Sequence, residues 1–353
     1  MQLADVAMRA ARRSCLAGVV TIVLACVAPA AHAQADSTAP PYPAPGRLVD
    51  VGEWRLHLNC TGEARPSQPT VILEAGLGDF SVEWSLVQPG VARFARVCSY
   101  DRAGDGWSDI GPNPRTFRQI VYELHTLLER AGERAPFVLV GHSYGGWLVR
   151  QYQSTYPSEV AGMVLVEAGA DDPWRMTGDG KLQRSSELAT GAPIPPVKTS
   201  DPLRVSDIPP RIMEQIRAGV AQVSHDPNGG VRGKLPPDAQ RMRAWALAHI
   251  GHILAGVNPV EYEELAALRA ERAKSEHSLD DMPLVVITRG LPDESGANAV
   301  ALEEEHRQVH TALASLSRRG KLVIAAHSGH HVQLEEPELV VAQIRDVVAV
   351  AAR

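Results

Sequence analysis

Cysteine is scarce in this chain, with four among 353 residues. A dense disulfide scaffold is excluded as its main source of stability. Positive charge is not in excess either. The net charge is −6, which leaves no basic footprint for nucleic acid. Long apolar runs are also missing. Leu16 to Val27 is too short to span a bilayer as a stable helix, and no second segment is long enough. No internal repeat is visible. What remains is ordinary globular composition, 44% hydrophobic and 22% charged, enough for a sizeable core.

The first 33 residues read as a removable leader rather than part of the fold. Arg9, Arg12 and Arg13 form a positive region ahead of the apolar run, and Ala31-His32-Ala33 is an A-x-A cleavage site. The expected mature chain starts at Gln34 and is exported, periplasmic or secreted. An uncleaved anchor and a lipoprotein cut before Cys26 are the alternatives, but Val23-Leu24-Ala25-Cys26 fits a lipoprotein signal only loosely. Residues 34–46 are a Pro-rich spacer. The folded core is expected over 47–170 and 282–353. Once the leader is removed, Cys60 and Cys98 are the cysteines left. An even count in an exported chain suggests one disulfide, with two buried thiols as the alternative.

Hydrophobic periodicity orders the elements. Val49 to Asn59 alternates around Gly52 as a β-hairpin. Thr70–Glu74, Arg96–Tyr100, Phe137–Val140, Gly162–Val166, Leu284–Thr288 and Leu322–Ala326 read as strands. Thr116–Ala131, Glu303–Ser317, Pro337–Ala351 and the segment after Gly145 read as helices. Alternating strands and helices imply an α/β fold with a mostly parallel sheet covered on both faces. Residues 171–281 break the rhythm. Pro- and Gly-rich sequence is followed there by helical patterns near Ile212–Ala221, Ala239–Leu254 and Val260–Glu276. This stretch reads as a helical cap over the C-terminal strand ends, the edge where open α/β sheets place ligands.

Gly141-His142-Ser143-Tyr144-Gly145 has the G-x-S-x-G spacing of a nucleophile elbow. The bare pattern arises by chance in roughly one chain of this length in ten. Here a buried strand precedes it and a helix follows, as the motif requires. Two small residues allow a sharp turn that exposes the Ser143 hydroxyl. A serine hydroxyl needs a base, and the base needs an orienting carboxylate. His330, in the loop after the strand Leu322–Ala326, is the expected base. His252 reads as part of a cap helix, and the His142 side chain should point away from the nucleophile. Asp293, just after the strand Leu284–Thr288, is the favoured acid on chain order. Glu167, after the strand Gly162–Val166, is the competitor, and Asp171 is a distant third. The backbone N–H groups of Tyr144 and Leu77 are the expected oxyanion donors. His327, His330 and His331 lack a supporting ligand set with metal spacing, so no metal site is expected.

At Gly76-Leu77-Gly78, Tyr100-Asp101-Arg102-Ala103-Gly104-Asp105-Gly106-Trp107-Ser108, Gly141–Gly145 and Ser328-Gly329-His330 the chain resembles the α/β-hydrolase superfamily in its lipase/esterase-like form. The likeness runs from about Arg47 to the C-terminus, apart from the cap. It implies an eight-stranded α/β-hydrolase sheet, a Ser–acid–His triad, a two-amide oxyanion hole and no cofactor. Glu74-Ala75 departs from the family, many of whose members carry a histidine-glycine pair before the oxyanion loop. Epoxide hydrolases and haloalkane dehalogenases of the superfamily use an aspartate nucleophile, against which Ser143 speaks. The resemblance also sets the second strand antiparallel beside the fourth, bringing Cys60 and Cys98 to one end of the sheet for a disulfide. The expected function is an exported serine hydrolase acting on a small-molecule carboxylic ester, without nucleic acid or a membrane span in the mature chain. Alternatives are amide, lactone or thioester hydrolysis, acyl transfer, or a non-catalytic binding protein on a hydrolase scaffold.

Overall fold

The computed structural model describes residues 42–177, 180–211, 213–214, 228–275, 277–293 and 299–352. The leader, its cleavage site and most of the expected helix Ile212–Ala221 lie outside them. Eight strands form one sheet: β1 (Arg47–Asp50), β2 (Arg55–Thr61), β3 (Thr70–Glu74), β4 (Val97–Tyr100), β5 (Phe137–His142), β6 (Val160–Val166), β9 (Leu284–Arg289) and β10 (Gly320–Ala325). Their spatial order is β1-β2-β4-β3-β5-β6-β9-β10. The pairs β1–β2 and β2–β4 are antiparallel, and the remaining pairs are parallel. This is the expected α/β-hydrolase sheet.

The central strands are buried on both faces, so their apolar runs are continuous rather than alternating. Their side chains still divide by parity. Ile72, Leu139, Met163, Leu165 and Val286 face one core with Val121, Leu124 and Leu128 of α1 (Phe117–Ala131) and Val149 of α2 (Tyr144–Thr155). Leu73, Val138, Val140, Val164 and Ile287 face the other core with Val340, Ile344 and Val348 near the C-terminus. Helix α1 begins where Thr116 accepts the Gln119 N–H, and ends at Gly132 in the left-handed region (φ 77°).

Cys60 lies directly opposite Cys98 in the antiparallel β2–β4 ladder, and the two form a disulfide. The described end of the N-terminal spacer, from Tyr42 on, is less detached than its composition suggests. The Trp107 indole donates to the Tyr42 carbonyl at 2.9 Å, and the Tyr42 ring packs against Trp245. No helix of the described residues is long and apolar enough to cross a membrane.

The insertion contributes a short hairpin, β7 (Trp174–Met176) with β8 (Leu182–Arg184). The helices α3 (Pro237–Leu247), α4 (Ile250–Ala255) and α5 (Glu261–Arg272) follow. The pattern over Ala239–Leu254 is thus two helices, broken by extended backbone at His249 (φ −89°, ψ 142°). The insertion sits on loops that leave the C-terminal ends of β3 and β4. Arg243 Nη1 lies 3.0 Å from Asp79 and 2.5 Å from Glu83. His252 Nδ1 lies 2.8 Å from Asp105. Glu264 accepts the Phe117 and Arg118 N–H groups at the start of α1, at 2.7 and 3.1 Å.

Candidate active site

Strand β5 passes into α2 through Ser143, whose backbone is at φ 52°, ψ −116°. A non-glycine residue there is strained, and it is retained only where the surroundings over-determine it. The Ser143 N–H donates to the Val166 carbonyl, and the Ser143 carbonyl accepts from Gly146 and Gly169. Small residues make the turn possible. A Cβ on Gly141 would lie 2.5 Å from the Gly145 oxygen, and one on Gly145 would lie 2.6 Å from the Glu74 oxygen.

The loop after β3 runs beside this elbow. Arg102, nearly fully buried, donates to Glu74 Oε1 at 2.7 Å and to the carbonyls of Ala75, Gly76 and Asp79 at 2.8, 2.5 and 2.9 Å. Tyr100 donates its hydroxyl to Glu74 as well. Burial raises the Glu74 carboxyl above its ordinary value, although Arg102 and Tyr100 pull it down. Glu74 and Ala75, the departure noted in the sequence, therefore belong to a clamp that turns the loop carbonyls toward Arg102. Among the described residues neither the Leu77 nor the Tyr144 N–H is donated to a backbone carbonyl. Tyr144 is the first residue of α2, where an N–H has no intrahelical partner.

His330 reaches the same edge from the loop after β10. That loop is tied down: Gly329 donates to Glu335 at 2.8 Å, and the Ser328 hydroxyl donates to Glu336 at 2.6 Å. The His330 carbonyl accepts from His142 Nε2 at 2.9 Å, with ring centroids 4.9 Å apart. His142 does not merely point away, as its place in the elbow suggested. It is buried and joins the residue before Ser143 to the backbone of His330. Burial and the neighbouring His330 hold its imidazole down to about 4.

The acid facing His330 is Glu167, not Asp293. His330 Nδ1 lies 3.4 Å from Glu167 Oε2. Asp293 is exposed, and its own N–H is anchored on Glu303 Oε1 at 2.9 Å. The backbone just before Asp293 is pinned beside the β10 loop, where Gly290 and Leu291 donate to the Ser328 carbonyl. At the end of β9 stands a cation instead. The Arg289 guanidinium bridges Glu167 Oε2 and Glu303 Oε1, at 3.1 and 2.9 Å. Asp171, the third sequence candidate, is taken up by Arg150 and Arg272.

Glu167 directly follows β6, itself at positive φ (45°), with its side chain fully buried. Its Oε1 accepts the Arg289 N–H at 2.7 Å and meets His306 Nε2 at 3.0 Å. Burial alone would raise this carboxyl. Hydrogen bonds from His306 and His330 outweigh burial and hold it well below the usual carboxylate range, so it stays ionised. Among the described residues, two side-chain groups that do not include the disulfide pair bring three potential metal ligands within 4.8 Å of one another: Asp79–His142–His331 and Glu167–His306–His310. The second escaped the sequence reading, although two histidines four apart on a helix are its visible signal.

The alpha/beta hydrolase family matches residues 71–343 of this chain. An AB hydrolase superfamily protein from Gibberella zeae is 28% identical over 311 residues, 83% of this chain and 91% of that protein. A thermophilic esterase from Thermogutta terrifontis superposes with a TM-score of 0.58 at 16% identity, covering 87% of this chain and 100% of that one. A Pseudomonas aeruginosa structure, provisionally assigned as an epoxide hydrolase, gives 0.59 at 15% identity over 87% and 97%. Sequence match, sheet order and elbow agree, and the chain belongs to the alpha/beta hydrolase family.

Proposed function

We infer that the protein is a serine hydrolase of carboxylic esters with Ser143, His330 and Glu167 as its triad. The observation that carries this reading is the His330 loop, held between two contacts. Glu167 lies 3.4 Å from its imidazole, and His142, next to the strained Ser143, grips its carbonyl. A hydroxyl on a strained turn, a base and an ionised acid are the three groups acyl transfer needs.

In this reading the Ser143 hydroxyl attacks the ester carbonyl while its proton passes to His330 Nε2. Glu167 stabilises the imidazolium through Nδ1. The free N–H groups of Leu77 and Tyr144 receive the oxyanion. His330 then protonates the leaving alcohol, and water frees the acid from the acyl-enzyme. Apart from the ester and the water, every group in these steps belongs to the chain. Epoxide opening in the superfamily relies on an aspartate nucleophile, and the elbow here carries Ser143.

The test is covalent labelling with a fluorophosphonate, paired with burst kinetics on an activated ester. Labelling should be lost in Ser143→Ala and strongly slowed in His330→Ala. A full burst in Ser143→Ala would sink the proposal. Export through the 1–33 leader is part of the same reading. It is checked by N-terminal sequencing of the protein from the periplasm or medium, where Gln34 should come first.

A further inference from the structure

Glu167 has more partners than a triad acid requires, and one of them is wrongly poised for a hydrogen bond. His306 and His310 stand four residues apart on α6 (Ala299–Ala314), so they share a face, with ring centroids 4.2 Å apart. His306 Nε2 is 3.0 Å and His310 Nδ1 is 3.6 Å from the same oxygen, Glu167 Oε1. The other His310 nitrogen, Nε2, lies 3.0 Å from the Ala168 carbonyl. A carbonyl can only accept, so Nε2 carries the proton of the neutral ring. The Nδ1 lone pair therefore faces a carboxylate oxygen. That side chain is 1% exposed, and its Nδ1 has no hydrogen-bond partner. Two buried acceptors aimed at each other repel unless something positive lies between them.

We propose that Glu167, His306 and His310 bind one divalent transition metal ion, with Zn2+ the best match. Two imidazoles and a carboxylate form a three-ligand set that leaves one position open. Zinc bonds of about 2.0–2.1 Å in a tetrahedron need ligand atoms roughly 3.3 Å apart. The observed separations, 3.0 and 3.6 Å, bracket that value. The supporting contacts exist already. His310 Nε2–H is fixed by the Ala168 carbonyl, and Glu167 Oε2 by Arg289 at 3.1 Å. Arg289 opposes a nearby cation and limits affinity, but its charge is shared with Glu303 at 2.9 Å. The His306 side chain, 22% exposed, offers a way in. Its Nε2 proton moves to Nδ1 or leaves as the metal takes the lone pair. One consequence rests on the triad reading: a metal on Glu167 withdraws the negative charge that His330 needs, so occupancy inhibits ester hydrolysis, and a chelator restores it.

The experiment uses full-length, tag-free protein stripped with EDTA. Zn2+ is titrated by calorimetry, thermal denaturation is followed with and without Zn2+, and ester hydrolysis is measured on the same samples. The expected result is one Zn2+ per chain, a higher Tm, and loss of hydrolysis reversed by EDTA. His306→Gln, at a partly exposed position, should weaken binding by more than roughly tenfold, and His310→Asn should do the same. His331→Gln, in the other cluster, should leave affinity unchanged. The proposal is overturned by the absence of saturable binding, by unchanged affinity in His306→Gln, or by loss of binding in His331→Gln. Binding that leaves hydrolysis untouched keeps the site and instead removes Glu167 from the triad.

Discussion

Replacing Glu167 by Gln removes one charge and almost no volume, which isolates what that charge does to His330. Glu167 Oε2 lies 3.4 Å from His330 Nδ1. When His330 takes the Ser143 proton, a charge pair at that separation and an effective dielectric near 20 is worth about 5 kcal/mol. Arg289, 3.1 Å from the same oxygen, offsets part of that field. About 4 kcal/mol then remains, a fall in kcat of roughly 10³-fold. KM should move little, since the acid acts through His330. Steady-state hydrolysis of a p-nitrophenyl ester reads both constants, with circular dichroism confirming the fold. Asp293→Asn, on an exposed side chain, is the paired control and should match the parent. The reasoning is refuted if Asp293→Asn loses three decades of kcat while Glu167→Gln stays within about tenfold of the parent.

The buried histidines make the fold sensitive to acid. Burial holds His142 and His310 down to about 4 and His331 to about 2. From about pH 6.5 down to 4 the unfolded chain binds protons that the native chain refuses, so stability falls as pH falls. Glu83, raised to about 7 by burial and Asp79, runs the other way and offsets part of this. A Tm series should therefore decline from pH 6.5 to 4, and a flat profile would contradict the burial argument. The Cys60–Cys98 bridge spans 38 positions. Cys60→Ala/Cys98→Ala should cost about 3–4 kcal/mol in the entropic treatment, read from urea midpoints. Gly145→Ala would press a methyl to 2.6 and 2.7 Å from the Glu74 and Ala75 oxygens. Neither backbone can yield without shifting the oxyanion loop, so esterase turnover should collapse along with a loss of about 1–3 kcal/mol in stability.

The elements most legible in the sequence are those whose burial leaves a local pattern. Strands β3, β5 and β6 are unbroken apolar runs, and α1 carries both its stripe and its Thr116 and Gly132 boundaries. The elbow was legible because φ strain calls for small neighbours in sequence. What stayed hidden depends on partners far along the chain. The spacing around Arg102 does not say that it will hold three loop carbonyls beyond β3. The hairpin β7–β8, three residues a side, is too short for a period to show. Tyr42 looked like spacer because its partners, Trp107 and Trp245, lie 65 positions away and farther.

The choice of acid shows the same limit most clearly, because two carboxylates had equivalent local contexts. Each follows a buried parallel strand at the C-terminal edge, and chain order favoured the later one. Under the proposed triad, the residue that ends the later strand accounts for the carboxylate that lies beside His330. Residue 289 is arginine, and its N–H and guanidinium both turn onto Glu167. In the register of β6 and β9, Val166 lies beside Ile287, so Glu167 emerges next to Thr288 and Arg289. The cation at that strand end holds the carboxylate of the neighbouring strand, while Asp293 stays exposed with its N–H on Glu303. Glu167 also starts one residue beyond Val166, whose carbonyl accepts the Ser143 N–H. The acid is thus tied through the backbone to the elbow itself. An arginine at the end of β9 together with a glutamate just past β6 is therefore the pairing from which this arrangement can be read in a sequence.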